Sequence, residues 1–201
     1  MNQVRAFLCF SLVLFGVSLF GQTNEDNVIL ESLIKHYYAQ RPNDTIFSRK
    51  GKIKKINVHY KPNLILINET YPFSVSETYS TIIQKFGLTE LDSISLADYH
   101  KKNNNTILID SIKGFKGNII YKTKSEMKKV FDEGGWNNYG DTFGYKELIR
   151  VSRPGINDKK NNAFVCLSRY SGELSGCIVY FLLEKINAKW IVKRSTIVII
   201  S

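Results

Sequence analysis

Several side chains in this 201-residue chain are of types that do chemistry, and their spacing decides how much each can claim. Cys166 and Cys177 are the two cysteines beyond the amino-terminal segment, placed nearly symmetrically about Gly172 in what reads as a hairpin. A cross-strand disulfide is one outcome, and in the loop-entropy picture a bridge of this size contributes about 3 kcal/mol. Two buried free thiols or a redox pair are the alternatives, although no Cys-x-x-Cys is present to favour the last. Ser125 and Lys128 spell Ser-x-x-Lys, the spacing that sets an amine one helical turn from a hydroxyl nucleophile. The accompanying Ser-Asp-Asn and Lys-Thr-Gly elements are missing, and a serine opening a helix is more simply its cap. His36, His59 and His100 are the only histidines, and no two stand at a metal-binding spacing, so neither a metal nor a cofactor is expected. Gly114, Gly117, Gly134 and Gly135 fit turns, not a phosphate-cradling loop.

The most distinctive polar run is Ser152-Arg153-Pro154-Gly155-Ile156-Asn157. Pro-Gly suits the centre of a type II turn, which leaves Arg153 at its entry. There its guanidinium either grips a ligand carboxylate in a bidentate fashion or ties the turn to Asp158 or another acid of the same domain. Trp136, Tyr139 and Phe143 lie in an aromatic, glycine-rich stretch that forms either a contact surface or a plug for one end of the core. Asp44-Thr45, Asp92-Ser93 and Asp110-Ser111 each precede isoleucine, and so resemble an Asp-Ser/Thr-aliphatic acceptor of periplasmic O-glycosylation, on Thr45, Ser93 and Ser111. The same dipeptides are ordinary turn and cap chemistry.

The folded part of the chain is expected to begin after a leader. Residues 1–5 carry one positive charge, residues 6–20 are almost wholly apolar, and the chain turns polar at Gln22. That order is a secretory signal peptide, with residues 1–21 removed by a cut after Gly21, or after Ser18 as the other option. The apolar run is shorter than the roughly 20 residues a membrane-spanning helix needs, and Cys9 sits too early for lipid attachment. Residues 22–201 then form one domain, exported to the periplasm, the outer surface or the medium. Losing Arg5 leaves 27 basic residues against 18 acidic, a charge that suits an anionic envelope component or another envelope protein. The lysines are scattered and, with abundant Asn and Ile, also fit an A/T-rich gene; no nucleic-acid module is present.

Hydrophobic periodicity predicts a first helix with Leu30, Leu33, Ile34 and Tyr37 on one face, capped by Thr23 and stopped at Arg41-Pro42. Residues 52–60 read as a strand with 64–68 as its hairpin partner. Ser74-x-x-Glu77 opens a second helix carrying Tyr79, Ile82, Ile83 and Phe86 and ending at Gly87. Residues 106–112 and 118–122 read as a further hairpin, and Ser125 as the cap of a short helix closed by Gly134-Gly135. Residues 136–145 read as an irregular loop. Residues 163–170, 177–185 and 189–200 form a meander whose last turn is Asn187-Ala188. The fold class is α+β, an amino-terminal helix on a curved antiparallel sheet ending in a three-stranded meander, of the cystatin or nuclear-transport-factor type.

Trp136, Tyr139, the run from Val151 to Asn157, and Tyr180-Phe-Leu-Leu-Glu-Lys followed by Lys189-Trp190 together resemble a family of small exported bacterial proteins of unassigned function. The likeness covers about the last third of the chain, with Ile156 standing where that pattern has phenylalanine and Ala188 where it has glycine. It implies export and the meander, and carries no catalytic residue. The leading functional expectation is a non-catalytic binding module acting through Trp136, Tyr139, Phe143 and neighbouring basic residues such as Arg153. A small periplasmic hydrolase using Asp98, His100 or Asp141 is the alternative.

Overall fold

Along the last forty residues, side chains alternate between the two faces of a sheet, and the chain folds back on itself twice. In the computed structural model, which describes residues 25–39, 46–47, 53–54, 62–71, 79–109, 111–144 and 146–200, strands β7 (Asn162–Gly172), β8 (Ser175–Ile186) and β9 (Lys189–Ile200) pair antiparallel in sequence order. The β8–β9 turn holds Asn187 and Ala188 at φ 49° and 62°, the paired left-handed residues that match strand twist in a two-residue hairpin. The expected meander is therefore present.

Before it come α1 (residues 25–39), β1 (Ile46–Phe47), β2 (Ile53–Lys54), β3 (Asn63–Ile67), α2 (Tyr79–Phe86), α3 (Ser93–Lys102), β4 (Asn118–Lys122), α4 (Lys124–Phe143), β5 (Glu147–Val151) and β6 (Gly155–Ile156). The main sheet has the order β4-β3-β5-β7-β8-β9, with β6 paired to β7. It is mostly antiparallel, curved and unclosed, but β3 runs parallel to both β4 and β5. The two early hairpins expected from periodicity are not formed. Within residues 52–60 the structure describes only β2, paired with β1, and residues 64–68 pair with β4 and β5 instead. Residues 106–112 contribute a single bridge, Leu108 to Glu69. Central position explains β3: Leu64, Ile65, Leu66 and Ile67 are all buried, as a strand covered on both faces requires.

One face of the sheet is covered by α1, whose Ile29, Leu30, Leu33, Ile34 and Tyr38 pack against Leu66, Ile149, Val165, Leu167 and Phe181. The other face carries two clusters. Over β7 and β8, α2 and α3 bury Ile82, Leu96 and Tyr99 against Phe164, Cys166 and Tyr180. Over β3 and β5, α4 buries Met127 and Tyr139 against Ile65, Ile67 and Leu148.

Helix α4 departs from expectation at both ends. Its cap is Thr123, in a capping box with Glu126, so Ser125 lies inside the first turn. Gly134 and Gly135 leave helical geometry, at φ 176°, ψ 19° and φ 61°, ψ −140°, so they close the first helical stretch as expected, but a second stretch follows directly to Phe143 and residues 136–143 are helical, not an irregular loop. Among the described residues no helix is long and apolar enough to cross a membrane. Residues 1–24, which include the expected leader and the Thr23 cap, the 40–45 segment with Thr45, His59 and the Ser74–Glu77 box lie outside the described residues.

Candidate functional site

Strands β5 and β6 lie in line along the same side of β7, separated by Ser152, Arg153 and Pro154. Ser152 bridges this interruption: its backbone N–H donates to the Cys166 carbonyl at 2.9 Å, and its Oγ accepts from the Cys166 N–H at 2.9 Å. Gly155 lies outside the left-handed region and sits in a strand, so the expected type II turn at Pro154-Gly155 is not formed. The glycine is needed because α3 lies directly on it. A Cβ there would stand 2.2 Å from the Ser95 carbonyl oxygen and 2.5 Å from Tyr99.

Asn103, just past α3, holds the break in place. Its Nδ2 donates to the Tyr99 and Arg153 carbonyls and its Oδ1 accepts from the Arg153 N–H at 2.9 Å. The Arg153 side chain then turns toward the first turn of α1, where Nε and Nη2 donate to Asp26 Oδ2 at 3.2 and 3.0 Å. Lys102 Nζ stands 3.6 Å from Asp26 Oδ1 and 2.8 Å from Asp98 Oδ2, and Asp98 also accepts the Ile156 N–H at 2.8 Å. Next to this cluster, Glu25 Oε1 takes hydrogen bonds from Lys185 at 2.7 Å and from the Trp190 indole N–H at 2.6 Å.

These groups wall a cleft of about 320 Å³ lined by Glu25, Asp26, Asp98, Lys102, Ile156, Asn157, Asp158 and Lys160. Depth separates the charges. The Asp26 side chain is 1 % exposed, and its burial pushes the carboxyl above the usual range even though Lys102 and Arg153 pull it down. Glu25 goes the other way: burial would raise it, but hydrogen bonds from Lys185 and Trp190 hold it low. At the mouth, Asp158 and Lys160 are exposed. The inner acids are thus neutralised within the protein, and the outer charges face solvent.

Arg153 is therefore tied to an acid of its own domain, Asp26 and not Asp158. The hydrolase candidates are not brought together, because Asp98 lines the cleft whereas His100 is exposed beside the Tyr99 ring and Asp141 is exposed on α4. Among the described residues no three His, Cys, Asp or Glu side chains form a group that could hold a metal ion.

The aromatic residues expected at a binding surface pack inward. Tyr139 is 1 % exposed, stacks 5.7 Å from Phe131, meets Trp136 edge-on at 5.0 Å, and donates its hydroxyl to the Lys146 carbonyl at 2.6 Å. Burial drives that phenol well above its ordinary range. Trp136 and Phe143 are partly buried around it, so the three side chains fill the space between α4 and the sheet. Trp136, Tyr139 and Phe143 stand three and four residues apart, a helical spacing that signalled this packing.

The expected disulfide is not formed; Cys166 and Cys177 are buried thiols. Register explains it. Cys166 pairs with Tyr180 and Cys177 with Arg169, which puts the cysteines three positions out of alignment and on opposite faces. Cys166 belongs to the α2–α3 cluster and Cys177 to the α1 cluster, so the sheet separates them. Of the proposed glycan acceptors, Ser93 and Ser111 are exposed, and Asp92 before Ser93 caps α3 by accepting the Ser95 N–H at 2.6 Å.

Comparison with family models, with curated proteins and with solved structures finds no match to this chain.

Proposed function

We propose that the mature chain is an exported domain of the cell envelope that binds a ligand without transforming it, and that the cleft at the α1–α3–β6 junction is its binding site. Export rests on the charged, apolar and then polar order of residues 1–22. Binding without catalysis is supported above all by the state of the cleft acids. Asp26 is 1 % exposed with its Oδ2 held by Arg153, and Asp98 is held by Lys102 and the Ile156 N–H, so both carboxyls are engaged by the protein's own donors and neither is presented to a substrate. The pairs fix the cleft walls in place, which lowers the ordering cost of binding. Exposed Asp158 and Lys160 give the mouth one charge of each sign, on a turn braced by the Asn157 amide, which accepts the Asn161 and Asn162 N–H groups and donates to Asn161 Oδ1. That arrangement suits a small polar ligand carrying both an ammonium and a carboxylate.

Titration of ¹⁵N-labelled residues 22–201 with the zwitterionic dipeptide alanyl-alanine tests this. Saturable shifts at residues 98, 102 and 156–160, abolished by reversing the mouth charges with Asp158→Lys and Lys160→Glu, are expected. Absence of shifts, or release of free alanine during the titration, overturns the reading. Amino-terminal sequencing of the protein recovered from the periplasm or medium should begin at Gln22 or Leu19.

A further inference from the structure

Strand β5 presents Glu147, Ile149 and Val151 to the face beneath α1, and Leu148 and Arg150 to the opposite face. Leu148 belongs there, packed in the α4 cluster. Arg150 breaks the pattern, since it places a guanidinium between the α2–α3 cluster and the α4 cluster, and such departures from local consistency mark functional positions.

Its surroundings differ from those of the other described arginines. Arg153 pairs with Asp26, Arg169 with Glu147 and Arg194 with Glu90. Among the described residues Arg150 has neither a carboxylate nor a hydrogen-bond partner, and its Nε is buried and unpaired. Two aromatic rings hold it instead, Tyr71 with its centroid at 5.1 Å and Tyr170 at 5.4 Å. Lys124 brings a second cation to the same Tyr71 ring at 5.5 Å. Directly across the ladder stands Ser168, fully buried, whose Oγ also lacks a partner among the described residues. A buried hydroxyl and a guanidinium left unpaired side by side cost stability unless something completes them.

Topology gives a second, independent pointer. β3, β4 and β5 run parallel, and Tyr71, Lys124 and Arg150 all lie at or just past their carboxyl ends. That edge is where open parallel sheets take ligands. Lys124 also opens α4, whose amino-terminal end adds partial positive charge.

We propose that Arg150, flanked by Tyr71, Tyr170, Ser168 and Lys124, is an oxyanion site that takes a carboxylate or phosphate group of the ligand. The guanidinium fork supplies the paired donors, the two tyrosine rings fix its plane, and Lys124 adds long-range attraction. This site is separate from the charged cleft, and its standing does not depend on what the cleft binds.

The test uses residues 22–201 titrated with inorganic phosphate and, in a parallel arm, with malonate, each at ionic strength matched by chloride and followed by ¹⁵N shifts. Saturable shifts at residues 71, 124, 150 and 168 are expected, with affinity reduced about tenfold or more in Arg150→Gln and unchanged in the cleft variant Lys160→Glu. The stronger arm identifies the preferred oxyanion. Equal affinity of Arg150→Gln and wild type, or shifts matched by chloride alone, overturns the proposal. Should Arg150→Gln fail to fold, phenylglyoxal labelling of the unaltered protein decides. Arg150 should modify faster than Arg153, Arg169 and Arg194 and be protected by the oxyanion, and labelling that neither phosphate nor malonate slows overturns the site.

Discussion

Arg150 and Arg153 stand three residues apart on one stretch of chain and have opposite circumstances. Arg153 leaves the β5–β6 break toward α1 and is absorbed by Asp26, with Lys102 and Asp98 completing a four-member ion cluster. Arg150 points to the other face, meets no acid among the described residues, and rests between two tyrosine rings. The first arginine is spent on structure and the second is available for a ligand. Net charge could not have distinguished them, because what separates them is whether a carboxylate arrives from a distant part of the chain.

Substitution should separate the two in stability. Replacing Arg153 with Met leaves Asp26 buried with Lys102 as its remaining cation, at 3.6 Å. Breaking a buried pair from one side costs about 3 to 5 kcal/mol, so chemical denaturation should show a loss of that order. A loss below about 1 kcal/mol would show the cluster to be incidental and would erase the contrast with Arg150.

A smaller but related loss is expected at Gly155, where the cluster's own backbone meets α3. Gly155→Ala forces its Cβ against the Ser95 carbonyl and Tyr99, and neither is a flexible side-chain end. Overpacking of this kind costs about 1 to 3 kcal/mol. Displacing α3 would also move Asp98 and Lys102, so dipeptide shifts in the cleft should weaken together with the denaturation midpoint, while phosphate shifts at Arg150 should not.

Much of this architecture could be read from local pattern, and the failures share one cause. α1, α2 and the meander follow from periodicity within a dozen residues, and the Asn187-Ala188 turn from hairpin spacing. The parallel pairing of β3 with β4 and β5 depends on partners more than fifty residues away, and local periodicity pairs only the nearest apolar runs, as hairpins. The cysteine register failed for a finer reason. The β7–β8 ladder is centred near Glu173, not midway between the two cysteines, and a shift of that size changes which face a side chain occupies. Two signals were present but outweighed. Thr123-x-x-Glu126 is a better capping box than a cap at Ser125, and Tyr139 with Phe143 at a four-residue spacing indicates helix despite the preceding glycines. The cleft itself was illegible, since Asp26 and Arg153 are 127 positions apart.

The ion cluster also predicts a pH dependence that the Arg150 site lacks. The Asp26 carboxyl is raised in the folded state, chiefly by burial, with Asp98 adding repulsion and Lys102 and Arg153 opposing it. A raised native value means that the folded protein holds this proton more tightly than the unfolded chain. Its stabilising contribution is therefore full at acid pH and is lost as pH rises from the ordinary carboxylate range through the raised value. Glu25 and Glu126, both held low in the folded state, the latter to about 2, act in the opposite sense and mask the effect in the wild type alone. The difference in Tm between wild type and Asp26→Asn isolates it, and should favour the wild type progressively less as pH rises from 4 to 7. A difference that grows with pH would show that Arg153 and Lys102 outweigh burial.

The smallest effect belongs to Arg150, and its smallness is the sharpest test of the comparison. Arg150→Met removes two cation–π contacts, each worth about 0.5 to 1 kcal/mol, and also removes a buried Nε that has no partner. The two terms oppose each other, so stability should change by no more than about 1 kcal/mol, a Tm shift of roughly 2 to 4 °C in a domain of this size. Methionine keeps the apolar stem between the Tyr71 and Tyr170 rings, so folding should survive while the response to phosphate and malonate disappears. Should Arg150→Met instead destabilise as strongly as Arg153→Met, the guanidinium would be holding the α4 layer to the sheet. Both arginines would then be structural, and the three-residue contrast would carry no functional meaning.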